Sequence, residues 1–243
     1  MRNIWTIARR EYKLYFSTPA AYMVAFMILL VLGVIFYANL TAAALQQSAP
    51  TVETIIGPFI TLLLFGTPAI TMRLIAEEQR MGTIELLLTA PVRDYEMVLG
   101  KWLGGFLFML TLIAVTLVFP LILNAMVDPG IDQGPLLSGY LGLVLISASL
   151  VAVGVAVSSL FSNQIAAFFA TIGVYLVLWL VSLPSQSMGA FGSDFLRYLD
   201  FSEHFYNTLF RGIIDLRDIT YYVSLTALSL FLGSVAVETR RWR

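Results

Sequence analysis

The sequence predicts an all-α integral membrane protein. Three observations carry that prediction: a scarcity of charge, six apolar runs without a charged residue or histidine, and a lopsided placement of the basic residues between those runs. Of 243 residues, 59% are hydrophobic and only 12% charged, against about 25% charged in soluble domains. With 59% hydrophobic content, the chain falls in the membrane class before any window is drawn.

A bilayer core takes about 20 apolar residues as helix. The runs are Tyr22–Leu40, Ile55–Met72, Trp102–Met126, Leu136–Phe161, Ile165–Leu183 and Tyr221–Val237. Pro58 and Pro68 are expected to kink the second. Ala42-Ala43-Ala44 follows the first run like a cleavage site, but that run exceeds a signal-peptide core, so it is expected to remain as an anchor. An even number of spans puts both termini on one side. Arg2, Arg9, Arg10, Lys13, Arg73, Arg80, Arg93, Lys101, Arg240, Arg241 and Arg243 fall on that side, against Arg197, Arg211 and Arg217 on the other. The positive-inside rule then makes the termini cytoplasmic and the protein a multi-pass protein of the cell (inner) membrane. Residues 1–243 are expected to form one transmembrane domain, with an interfacial helix at 1–18, a cytosolic segment at 77–98 and an extracytoplasmic segment at 184–220.

The N-terminal MRNIWTIARREYKLYF is amphipathic at helical spacing. Arg2, Asn3, Thr6, Arg9, Arg10 and Lys13 share one face; Ile4, Trp5, Ile7, Ala8, Tyr12, Leu14, Tyr15 and Phe16 share the other. Such a helix lies in a membrane interface. Glu11 sits within the apolar face, where a carboxylate needs a partner; a second protein chain would supply one.

Between the second and third runs stands EEQRMGTIELLLTAPVRDYEMVLGK, residues 77–101. Gly82 can end one helix and Thr83 can cap the next. Glu85 then lies in a first turn that favours an anion, Leu86, Leu87 and Leu88 supply apolar surface, and Pro91 stops the helix. Asp94 is placed to cap the helix that follows. Three consecutive leucines in water need cover, either from a cytosolic partner or from the protein's own helix ends.

Ser162-Asn163-Gln164 is tight enough to make spans four and five an antiparallel hairpin. Ala148, Ala152 and Ala156, followed by Gly154 and Ser158 at the same interval, suit close helix packing within a subunit or across a dimer. On the far side, apolar positions Phe195, Leu199, Phe205, Leu209, Ile213 and Leu216 recur at roughly helical spacing. They predict one or two short interfacial helices, broken near Gly212, acting as a lid or as anchorage.

Several chemistries are excluded. Gly100-Lys101 is flanked by Tyr95 and Trp102 where a P-loop needs glycine and Ser or Thr. One histidine and no cysteine rule out zinc peptidase chemistry, disulfides and thiol nucleophiles. His204, the single histidine, reads as an interfacial side chain rather than a catalyst. No ionisable group within the spans suggests ion-coupled transport, and a net charge of -1 gives no reason to expect nucleic acid.

The stretch EEQRMGTIELLLTAPVRDYEMVLGKWLG (77–104) resembles the signature region of type-2 ABC exporter permeases, with Ala90 where serine is frequent. SSLFSNQIAAF (158–168) and ETRRW (238–242) fit the same family, and EHFYNTLFRGIIDLRDITYY (203–222) looks most like its gliding-motility-associated subgroup. The resemblance implies a non-catalytic membrane subunit working with a second permease copy or paralogue and a dimer of cytosolic ABC ATPases, which would carry ATP and Mg. This chain would bind no cofactor and no metal. By analogy, Glu11, Glu77, Glu78, Arg80, Gly82, Thr83, Glu85, Leu87 and Pro91 form the coupling interface to the ATPase, and His204, Phe205, Phe210 and Gly212 are candidates for an outer gate. The gliding-like stretch also implies an alternative, force transmitted to a membrane-anchored subunit with an extracytoplasmic domain, without solute transport.

Overall fold

The computed structural model describes residues 2–47, 49–82, 93–128, 130–184 and 190–241. Every regular element among the described residues is helical. Five helices or helix pairs are long and apolar enough to cross a membrane: Pro19–Gln46, Glu53–Arg80, Asp94–Met126, Gln133–Leu160 and Leu216–Thr239; Gln164–Leu180 is a shorter apolar sixth. The protein is therefore an all-α, multi-pass membrane protein. The helix expected over Thr83–Thr89, with Glu85, Leu87 and Pro91, lies outside the described residues.

Helix α1, Arg2–Ser17, buries part of its apolar face against the rest of the chain. It lies on α5, Asp94–Thr116, because Gly100 and Gly104 leave room. A Cβ at Gly100 would meet the Ile7 Cβ at 2.7 Å, and one at Gly104 the Glu11 Cβ at 2.6 Å. Ala8, Glu11 and Tyr15 are buried in that contact, while Trp5, Leu14 and Phe16 stay exposed. The N-cap of α5 is Arg93, not Asp94. Glu96, in its first turn, accepts from the Arg93 backbone N–H at 3.2 Å and from Asn3 Nδ2 at 3.1 Å, tying the two helix starts together.

Helix α2, Pro19–Gln46, buries only Ala21, Ile28 and Leu32; Tyr22, Met23, Phe26 and Val34 face outward. Helix α3, Glu53–Thr71, contains Pro58 and Pro68 and is largely buried. It breaks at 72–75 before α4, Ala76–Arg80. Gly82, at φ +69°, follows the end of α4; this left-handed conformation costs glycine nothing.

The third span also breaks, between α5 and α6, Val118–Met126. Pro120 has no N–H for the Thr116 carbonyl, its partner in an unbroken helix. The Tyr140 hydroxyl donates to that carbonyl instead, at 3.1 Å.

Helix α7, Gln133–Leu160, is the central post. The small residues noted in the sequence bring helices together within the subunit. Gly154 faces Thr71 of α3, and a Cβ at Gly233 of the last helix would come within 3.3 Å of the Ala156 Cα and 3.5 Å of Val98 of α5. Because α1 and the end of that last helix both pack near the start of α5, the termini share one face. Helix α8, Gln164–Leu180, returns antiparallel after Asn163 caps it by accepting from the N–H groups of Ile165 and Ala166. The Tyr175 hydroxyl donates to Leu150 O at 2.6 Å, binding the hairpin together.

On the opposite face come α9, Ala190–Leu199, α10, Phe201–Tyr206, a 3-10 turn at Leu209–Arg211, and α11, Leu216–Arg241. The break between the short helices falls at Asp200, which caps α10 by accepting from Ser202 N. Gly212, expected as that break, instead ends the 3-10 turn at φ +89°.

Candidate functional site: a buried charge clasp on the face of the termini

Lys101 is the residue the sequence hid. It lies in the second turn of α5, is 2% exposed, and its Nζ donates to Glu11 Oε1 of α1 at 3.1 Å and to Glu78 Oε1 of α4 at 2.7 Å. Three elements distant in sequence are thus joined at one ammonium. Glu11, expected to find its partner on another chain, finds it within this one. The apolar run begins one residue later, so a chain read for spans passes Lys101 as a flank. The telling signal is paired: a carboxylate inside the apolar face of α1 and a lysine beside glycines that admit that helix.

The clasp borders a cavity of about 520 Å³ lined by Tyr15, Leu74, Glu77 and Met81 among others. Arg73 reaches over it, its Nη2 donating to Thr18 Oγ1 at 2.9 Å and its guanidinium 5.2 Å from the centre of the Tyr15 ring. Burial, reinforced by Glu11, pushes the Tyr15 phenol far above its ordinary range, with Arg73 pulling the other way. Tyr15 stays neutral and donates to Ile70 O at 3.3 Å, so α1 is also tied to α3.

Ser158, read from the sequence only as a small packing residue, does more. The Ser158 hydroxyl of α7 accepts from the N–H groups of Ile75 and Ala76, at 3.2 and 3.1 Å, and donates to Met72 O at 3.1 Å. Gln79 Nε2 donates to Ser159 O at 2.8 Å. The broken turn between α3 and α4 is therefore held by the last turns of α7.

The expected coupling residues divide. Glu11 and Glu78 are occupied in the clasp, Glu77 is half-buried beside it, and Arg80 and Gly82 are exposed where α4 ends. Thr83, Glu85, Leu87 and Pro91 fall outside the described residues. At α4 the described chain leads straight into that segment.

The outer candidates form a separate knot. His204 Nδ1 lies 2.7 Å from Asp218 Oδ1 and Nε2 lies 3.0 Å from Tyr198 O, with the Tyr221 ring stacked on the imidazole at 4.1 Å. A nucleophile would need the nitrogen that the Tyr198 carbonyl already occupies, so the arrangement is not a Ser-His-Asp triad. Phe205 is fully buried and fills the space above Gly142, and a Cβ at Gly57 would meet the Phe210 ring at 3.7 Å. These groups anchor the short helices to α3, α7 and α11. Among the described residues no cluster of three or more His, Asp or Glu side chains is arranged to hold a metal ion.

No curated protein matches the sequence. The family model described as ABC-2 family transporter protein matches residues 37–239, which takes in five of the six apolar helices and the end of the first, from residue 37 to Gln46. The chain therefore belongs to the ABC-2 family of transporter proteins and is a permease subunit of an ABC transporter.

Proposed function

We propose that this permease couples ATP hydrolysis on a separate cytosolic ATPase dimer to export, with the face of the termini in the cytoplasm. The observation that carries the proposal is the Lys101 clasp. It fastens α1 and α4 to the third span, and Glu78 stands four residues before Gly82 in the chain, so a push arriving through residues 83–92 reaches span two and span three together. Eleven of the fourteen basic residues on the termini side support the orientation. Glu77, Arg80, Gly82, Thr83, Glu85, Leu87 and Pro91 then meet the ATPase, while Glu11 and Glu78 act from behind through Lys101. ATP and Mg belong to the ATPase; the second permease is a copy or a paralogue. His204, Phe205, Phe210 and Gly212 belong to the outer segment 184–220, which opens or closes the exit.

The test is affinity purification from native membranes with mass spectrometry of the copurifying chains. A stoichiometric P-loop ATPase is the expected result. None after crosslinking at cysteines introduced near Glu85 would refute the coupling.

A second reading is favoured by the polar cavity of about 450 Å³ on the opposite face, lined by Asp194, Arg197, Glu203, Asn207 and Arg217 among others. In it the complex moves an extracytoplasmic partner, as in the gliding-like subgroup, without transporting a solute. Copurification of a subunit with a large external domain, lost on deleting 203–215, favours that reading; substrate-stimulated ATPase activity favours export.

A further inference from the structure

We propose that residues 72–75 are a two-state hinge in the second span, and that Ser158 is the positioning residue that holds it bent. In an unbroken helix the Ile75 N–H would bond Thr71 O and the Ala76 N–H would bond Met72 O. Here both amides go to Ser158 Oγ, at 3.2 and 3.1 Å, and the hydroxyl returns one bond to Met72 O at 3.1 Å. Thr71 O is taken by Leu74 N at 3.0 Å, the tighter spacing of a turn. A serine hydroxyl has one proton and two acceptor sites. All three are used, on the two helical bonds that the break removes.

The exchange leaves two clean alternatives. With the hinge bent, Ser158 satisfies the amides; with α3 and α4 fused into one straight helix, Thr71 O and Met72 O satisfy them and Ser158 is released. Intermediate angles orphan the amides, and Ile75, Ala76, Thr71 and Ser158 are each 0% exposed, so water cannot step in. Buried orphan N–H groups are rare because they are costly, which makes the element bistable rather than gradually flexible.

The post is fixed and the arm is free to act. Thr71 sits against Gly154, where a Cβ would come within 2.2 Å of its hydroxyl, so α3 and α7 approach closely just below the hinge. Above it, α4 carries Glu78 into the clasp and ends at Gly82. A change at 72–75 therefore moves Glu78, Lys101 and the entry to 83–92 as a group. That consequence rests on the coupling proposed above; the hinge itself does not.

The sequence has no cysteine, so spin labels on cysteines introduced at Met81 and Ser162, both exposed, report the angle between α4 and α7 without background. In the full chain reconstituted in bilayers, wild type is expected to show one dominant distance. Ser158→Ala removes bonds from the bent state alone and is expected to raise the straight-to-bent ratio about tenfold or more, seen as a second distance. Ser158→Thr, which keeps the hydroxyl, is expected to restore the wild-type distribution. A folded Ser158→Ala protein with the wild-type distance overturns the hinge. Should that variant not fold, Gln79→Ala cuts the other tie to α7 and is read in its place, with a shift of about threefold expected and an unchanged distance again overturning the hinge. In the ATPase complex, a shifted distance with unaltered ATP hydrolysis would leave the hinge standing and remove the coupling reading.

Discussion

Replacing Lys101 by methionine keeps the length of the side chain and removes the charge that two buried carboxylates share. At an effective dielectric constant of about 20, the contact of 2.7 Å to Glu78 is worth ~6 kcal/mol and that of 3.1 Å to Glu11 ~5 kcal/mol. The two carboxylates, held on the same ammonium, repel each other by roughly 3 kcal/mol. Desolvation of three charged groups cancels most of the attraction, so the clasp adds little net stability over an apolar substitute. Breaking it from one side is another matter. The lost attraction and the exposed repulsion together give an expected destabilisation of about 3–5 kcal/mol. For a chain of this size each kcal/mol moves the midpoint by about 2–4 °C, so Lys101→Met should melt roughly 6–20 °C lower. The assay is thermal unfolding of detergent-solubilised protein, followed by fluorescence-detected size exclusion. The triple variant Lys101→Met, Glu11→Gln, Glu78→Gln carries no charge at the clasp and should recover most of the loss. A single variant melting within about 2 °C of wild type, or a triple variant no more stable than the single, would refute the reasoning.

Three further perturbations test the packing around the site. Gly104→Leu drives a side chain into Glu11 Cβ at 2.6 Å and Ala8 O at 3.1 Å; it should cost about 1–3 kcal/mol and speed tryptic cleavage at Arg9, Arg10 and Lys13, whereas Gly33→Ala, with nothing within 4 Å, should change neither. Tyr140→Phe strips the Thr116 carbonyl of its donor and should cost about 1–2 kcal/mol. Adding Pro120→Ala supplies the missing helical N–H, so the same Tyr140→Phe change should cost less in that background, as read by a double-mutant melting cycle. His204→Ala leaves Asp218, 3% exposed, with the Thr208 hydroxyl at 2.5 Å as its remaining side-chain donor among the described residues; a loss of about 2–4 kcal/mol is expected, with Asp218→Asn restoring part of it in the same melting assay.

The spans were legible because a bilayer filters composition: a helix that lacks charge over about 20 residues has one stable environment. The proline positions forecast kinks, yet the sharpest break in span two falls four residues after Pro68, at 72–75, where α7 supplies the hydrogen bonds. The misplacement of Glu11 was visible in the periodicity, but its partner was not. Lys101 is ninety positions away, and nothing local distinguishes it from an ordinary flanking lysine. Asp94 looked like a cap by residue type, while the backbone puts Arg93 there and lets Glu96 answer from the first turn. The outer helices were foreseen from their apolar spacing. Their break was misplaced because Gly212 and Asp200 are both plausible interruptions, and the choice follows from where Phe205 wedges over Gly142.

Hydropathy and charge placement act one residue at a time against a solvent, and so the membrane class, the six apolar runs and the amphipathic first helix can be read from the chain without coordinates. Pairing acts between residues. Which carboxylates share Lys101, which hydroxyl heals the break in span two, and whether small residues join helices within the subunit all depend on distances set by packing. Those distances are fixed by glycines at positions 100, 104 and 154, whose meaning appears only when the helix that occupies the space they leave is in place.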